Sequence, residues 1–194
     1  TSITSVTIGE QVTSIGERAF SSCSSLTDVY YTGDINDWVS ISFENVTANP
    51  LNNGANLYIN GNELVTEANI DTATSIRALA FYGCTSITSV TIGEQVTSIG
   101  ERAFYNCSSL TSVTIGDGVT SIGDDAFYGC YSLVYVVNKS SLEFNVGDYG
   151  TSSSGELLEI VSDESEVVFV DIDGNRYKDY NGERYFIKNL DGSS

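Results

Sequence analysis

Residues 85–107 read TSITSVTIGEQVTSIGERAFYNC, and the first twenty of those letters recur unchanged at 1–20. A third copy, SSLTSVTIGDGVTSIGDDAFYGC, fills 108–130. Cys84, Cys107 and Cys130 stand 23 residues apart, and Cys23 closes the first copy. A fixed period of this size is the mark of a solenoid, in which each unit is one coil stacked on the next. No other feature of the chain restricts its fold as strongly.

The unit itself says how a coil is built. Val90-Thr91-Ile92 alternates apolar and polar residues, the pattern of a short strand with one buried face. Gly93 ends that strand, and Glu94-Gln95 turn the chain. Val96 and Ile99 point inward from a second extended piece, which Gly100 breaks. Ala103, Phe104 and Cys107 have near-helical spacing, which predicts a single 3₁₀ turn. A lone coil leaves both strand edges unpaired. Stacking at about 4.8 Å supplies the missing partners.

Six coils of this kind are expected over 1–140. Coil one is 1–23, coil two opens with Leu26, Val29 and Tyr31, and coil three resumes at Val65, Ala68 and Ile70. Coils four and five are 85–107 and 108–130, and coil six begins with Leu133 and Val136. Between coils two and three the pattern lapses, so 33–62 reads as an insertion. Within it Asp34 is placed to cap a short helix over 35–40 that contains Trp38. Residues 41–43 read as extended, and 57–59 with 64–66 as a hairpin about Asn60-Gly61. After Lys139 the composition changes. Runs at 157–161, 167–172, 176–180 and 185–188, with turn pairs Asp173-Gly174 and Asn181-Gly182, predict a β-rich cap over 141–194.

Charge and residue usage narrow the function. The chain has 26 acidic and 8 basic residues, for a net charge of −18. That balance opposes nucleic acid and anionic membrane surfaces as partners. No run is long and apolar enough for direct membrane insertion. The chain opens inside a repeat at Thr1 and has no methionine, so a fragment or processed form is expected. There is no histidine, which removes the usual general base. The four cysteines share one repeat position and read as a buried, reduced ladder, not as nucleophiles or metal ligands. Neither an enzyme, a cofactor nor a metal is expected.

The pattern L-T-S-V-T-I-x-x-x-V-T-S-I-G-x-x-A-F-x-x-C, carried in full by 108–130, resembles the BspA-like leucine-rich repeats of bacterial surface and secreted proteins. The likeness covers about residues 1–140. It departs from the general leucine-rich pattern in lacking an Asn after the strand, near Gly9, Gly93 and Gly116. It implies a β-rich leucine-rich-repeat solenoid at an extracellular or cell-surface location. It also implies adhesion to protein or glycan partners on host or microbial surfaces. A passive spacer within a larger surface protein is the alternative, and a monomer is expected.

The residues offer three contact surfaces. Tyr82, Tyr105 and Tyr128 each follow the inward Phe of their coil, and stacking should align them as a stripe about 5 Å apart. Coil one has Ser21 there, so the fold does not require an aromatic at that position. Outward strand positions carry Ser5 and Thr7, Asp28 and Tyr30, Ser89 and Thr91, Ser112 and Thr114, then Tyr135 and Val137. Trp38, with Phe43, Tyr31 and Tyr58, stands in or beside the 33–62 stretch, where a solenoid can carry function, and these aromatics are also the obvious material for a small core of that stretch. The candidate partner-binding residues are thus Tyr82, Tyr105, Tyr128, Tyr30, Trp38 and Tyr135.

Overall fold

The computed structural model describes residues 3–143, 148–150, 159–161, 169–170, 176–180 and 183–186. The first strands of coils three to six are Glu67–Ile70, Ser89–Ile92, Ser112–Ile115 and Tyr135–Asn138. They form one parallel sheet, to which Glu159–Val161 adds a fifth strand. The register advances one coil per step, so Val113 lies between Val90 and Val136. Ser75–Ile76, Ser98–Ile99 and Ser121–Ile122 form a second column in the same way. About six turns of a solenoid with little helix result.

A constant register lays each side chain on its own copy. The rings of Phe81, Phe104 and Phe127 stack with centroids 5.2 and 5.4 Å apart, and all three are fully buried. The Cys107 and Cys130 thiols donate to the carbonyls of Phe81 and Phe104 at 3.2 and 3.1 Å. All four cysteines are free and buried. Burial pushes the Cys84 and Cys107 thiols up from their ordinary pKa. Threonines repeat the device at the coil's edges: Thr111 and Thr120 donate to the carbonyls of Thr88 and Thr97 at 2.9 and 3.1 Å.

The third side of the coil differs from the expected 3₁₀ turn. Bonds of the i→i−3 type are present from Ala103, Tyr105 and Cys107, each at 3.2 Å. The alternate donors, Arg102, Phe104 and Asn106, reach instead to Asp124, Ala126 and Tyr128 of the next coil. Arg102 and Asn106 have φ of 52° and 57°, a left-handed conformation that ends any right-handed helix. Arg18, Leu79 and Asp125 repeat the first of these, and Ser22, Gly83 and Gly129 the second. The zigzag frees every second N–H to bond along the stack. Gly100 and Gly123 let the coils close up. A Cβ at either would fall 2.3 Å from Ala78 N or 2.4 Å from Glu101 N.

The stretch 33–62 is wound into the solenoid and is not a separate insertion. Ser42–Phe43 pairs in parallel with Ser14–Ile15, so it is the second strand of coil two. Phe20 N donates to Thr47 O at 2.9 Å, as Phe104 N does to Ala126 O. Ala48 and Leu51, both fully buried, therefore fill the Phe and Cys places. The pattern is hidden because coil two is longer: Asp28 pairs with a residue 28 further on, whereas Ser5 pairs with one 23 further on. The added residues make the helix Ile35–Trp38, capped by the Asp34 carboxylate, which accepts from Asn36 N and Asp37 N.

What is additional is the strand Asn56–Ile59. It pairs with Asp28–Tyr31 and turns back through Asn60-Gly61 into Glu63–Leu64. The first column is thereby divided into a four-stranded and a five-stranded sheet. At the C-terminal end, Phe169–Val170, Arg176–Tyr180 and Glu183–Phe186 form an antiparallel sheet. The expected turns Asp173-Gly174 and Asn181-Gly182, and the remaining parts of the runs read at 157–161, 167–172 and 185–188, lie outside the described residues.

Candidate functional site

The third-side zigzag determines where the tyrosines go. Phe104 N and Asn106 N are held to the next coil while Tyr105 N folds back on Arg102 O, so Phe points in and Tyr is turned outward. The Tyr82, Tyr105 and Tyr128 rings stack with centroids 4.9 and 5.0 Å apart and interplanar angles of 2° and 20°. Tyr82 and Tyr105 are half-buried, and Tyr128 is 44% exposed. The stripe read from the sequence is thus a continuous ladder whose exposure is highest at coil five.

Charged residues flank the ladder. The Arg102 guanidinium lies 5.8 Å from the centre of the Tyr105 ring. It also pairs with Asp125 at 3.5 Å and with Glu101 at 3.8 Å. Burial, with the neighbouring tyrosines and Asp125, raises the Tyr105 hydroxyl pKa, and Arg102 opposes that rise. A groove of about 620 Å³ beside the ladder is lined by Glu101, Arg102, Asp124, Asp125, Asp148 and Gly150. Gly150 is close-packed here, since a Cβ on it would lie 2.7 Å from the Tyr128 Cβ. Sequence reading found the tyrosines but not this groove. Its signal was the change from Glu101-Arg102 to Asp124-Asp125 ahead of the Ala-Phe pair.

The other candidates fall elsewhere. Tyr30 is half-buried on the outward face of the first column and stacks on Tyr58 at 4.7 Å. Desolvation and a hydrogen bond to Asp28 raise the Tyr58 hydroxyl. Tyr135 is half-buried at the start of its strand, and Val137, expected to face solvent, is fully buried. Trp38 requires the plainest correction. It is fully buried against Tyr31 and Phe43, and its indole N–H donates to Ala80 O at 2.9 Å. It replaces a missing backbone donor inside the core and cannot meet a partner. The six candidates therefore do not form one site: the ladder is on the third side, Tyr30 and Tyr135 are on the sheet, and Trp38 is in the core.

Among the described residues no group of three or more His, Cys, Asp or Glu is arranged to hold a metal. No helix among them is long and apolar enough to cross a membrane. What the site can offer is aromatic edges, hydroxyls and carboxylates for non-covalent contact.

The family model for the BspA type leucine rich repeat region matches residues 1–72 and 52–165, in six copies. A comparison with curated proteins finds no match. Among solved structures, a leucine rich repeat protein of T. pallidum is 22% identical with a TM-score of 0.49, covering 81% of this chain and 69% of that one. A leucine rich cell surface protein of Faecalibacterium prausnitzii is 26% identical with a TM-score of 0.47, covering 96% and 46%. A leucine-rich repeat protein of Bacteroides ovatus is 19% identical with a TM-score of 0.46, covering 82% and 43%. The chain thus spans less than half the length of the last two. With the repeat matched along most of its length, this chain belongs to the BspA-type leucine-rich repeat family.

Proposed function

We propose that the chain is a non-catalytic, extracellular binding module of a bacterial surface protein, and that it meets protein or glycan partners through the Tyr82–Tyr105–Tyr128 ladder. The carrying observation is the ladder itself. Three in-register rings stand 4.9 and 5.0 Å apart on the outward side of consecutive coils. Coil one keeps the same fold with Ser21 at that position. Aromatic side chains supply much of the energy at contact surfaces. The cell-surface name of one similar structure agrees with an outside location. The test is a panel of matrix proteins and glycans probed with the chain and with a variant carrying Ser at all three positions. Binding should fall at least tenfold in the variant, while its unfolding free energy changes by less than about 2 kcal/mol. Full binding by the variant would overturn the reading.

A spacer is the second reading, favoured by the outward Ser89, Thr91, Ser112 and Thr114, which are small hydroxyls suited to any strand. A spacer would bind nothing on the panel, with or without the tyrosines.

A further inference from the structure

Two Asn-Gly pairs lie among the described residues, Asn53-Gly54 and Asn60-Gly61, and the fold holds them differently. Asn-Gly is the dipeptide most open to deamidation, because glycine has no Cβ to shield its backbone nitrogen. That nitrogen attacks the asparagine Cγ, the Cγ–Nδ2 bond breaks, and ammonia leaves. Water then opens the cyclic imide at either carbonyl. One opening gives aspartate. The other gives isoaspartate, whose main chain runs through the former side chain. Water is the sole co-reactant.

Both asparagines are exposed, so exposure does not separate them. The surroundings of the glycine nitrogen do. Gly54 N donates to Leu51 O at 2.9 Å, and Leu51 is fully buried. Asn49 holds the same turn: its side chain accepts from Leu51 N at 2.8 Å and its carbonyl from Asn52 Nδ2 at 2.7 Å. Coil three packs against it so closely that a Cβ on Gly83 would fall 2.7 Å from Leu51 O. Asn53-Gly54 is therefore locked into the joint. Asn60-Gly61 stands at the tip of a hairpin. Gly61 N reaches Tyr31 O only at 3.4 Å, beyond the ordinary N–H···O range. A Cβ on Gly61 would meet nothing within 4 Å. Residues 60–64 are all exposed, and the return strand Glu63–Leu64 has two residues, so local opening costs little.

We propose that Asn60 is a site of spontaneous deamidation, and that its isoaspartyl product undoes the hairpin between coils two and three. The turn 59–62 has positive φ at both central residues, 48° at Asn60 and 86° at Gly61, as a type I′ turn requires. It closes through Asn62 N to Ile59 O at 3.1 Å. An isoaspartyl link adds a methylene to the main chain inside that closure. The pairs Tyr58 with Leu64 and Ile59 with Glu63 then lose their register. Both residues of Glu63–Leu64 are exposed, so no packing holds the strand against the slip.

The test is mass-spectrometric peptide mapping of the intact chain, aged warm at mildly alkaline pH, beside the chain aged in urea. Deamidation adds the mass difference between water and ammonia, and methyltransferase labelling reads the isoaspartate. In the folded chain residue 60 should convert about tenfold faster than residue 53. In urea, where only local sequence acts, the two rates should lie within about threefold. Asn181-Gly182 lies outside the described residues, and its peptide is read apart. Hydrogen exchange of residues 63–65 should quicken in the aged chain. It should stay unchanged in aged Asn60→Gly, which suits the left-handed φ and has no amide to lose. No conversion at residue 60 in the folded chain, or a rate equal to or below that of residue 53, would overturn the proposed site. Isoaspartate at residue 60 with unchanged exchange would overturn the effect on the hairpin.

Discussion

Coils four and five and the joint between coils two and three solve one problem by opposite means. In the regular coils, Arg102, Phe104 and Asn106 donate their backbone N–H groups to Asp124, Ala126 and Tyr128 of the next coil. No particular side chain is needed, and the core is a set of identical ladders. At the joint, coil two is longer and its backbone is out of step. The carbonyl of Ala80, the counterpart of Ala103, is met there by a side chain, the Trp38 indole, and Asn49 adds a side-chain donor to the Leu79 carbonyl, which also accepts from Tyr82 N at 2.9 Å. Asn36 adds a third device. Its Oδ1 accepts from Asp71, Thr72 and Ala73 at 3.0 to 3.1 Å, and its Nδ2 donates to Asp71. Repetition lets the backbone carry the stack, so identity matters only inside. Irregularity transfers the same hydrogen bonds to a few named residues, and those cannot be exchanged.

The largest expected effect tests the regular side. Phe104→Ala should cost about 3–5 kcal/mol in urea unfolding, because the ring has a stacked neighbour on each side. Phe20→Ala, at a half-buried position in coil one, should cost about half as much. Equal costs would mean that stacking on both sides contributes nothing.

Next comes the joint. Trp38→Phe keeps a ring but leaves the buried Ala80 carbonyl without its donor, at a cost of about 1–3 kcal/mol. A change below about 0.5 kcal/mol would show that the backbone can relax to meet the carbonyl itself. Asn36→Ala should cost about 1–2 kcal/mol, since three N–H groups lose a shared acceptor but remain near solvent. Its counterpart on the regular side, Ser89→Ala, should be nearly neutral, and a similar loss from both would erase the distinction.

The smallest effect is a pH dependence that separates the two regions. Burial holds the Cys84 and Cys107 thiols above their ordinary pKa. Unfolded thiols ionise near about 8.5. A pKa raised on folding gives stability that is complete below the unfolded value and is lost as pH rises through it. The regular coils should therefore begin to weaken above about pH 8.5. Tyr31, packed on Trp38 at the joint, is pushed up to about 12 by burial and by the charges of Asp37, Asp34 and Glu10. Its loss begins only above the ordinary tyrosine value of about 10. Melting curves across the alkaline range should show two successive falls, and a Cys107→Ala variant should soften the first alone. A melting temperature that stays flat through both windows would contradict both assignments.

The sequence alone determined the period, the inward residues of coils four and five, and the outward turn of the tyrosines; in coil one Ile3, expected inward, is 49% exposed. A 23-residue repeat leaves one way to pair its strands, so a single copy specifies all the regular ones. It did not determine the path of 33–62. Ser42-Phe43, Ala48 and Leu51 share no letters with Val-x-x-Ile or Ala-Phe except in size and direction, and direction is known only once Ile15 is seen opposite Phe43. Trp38 read either as core material for that stretch or as a contact residue, and the sequence did not decide between them, since nothing local says that a carbonyl 42 residues away lacks a donor. The groove beside Tyr128 needed the stack as well. Arg102 and Asp125 are 23 residues apart in the chain, and only the coil-to-coil distance puts them within 3.5 Å.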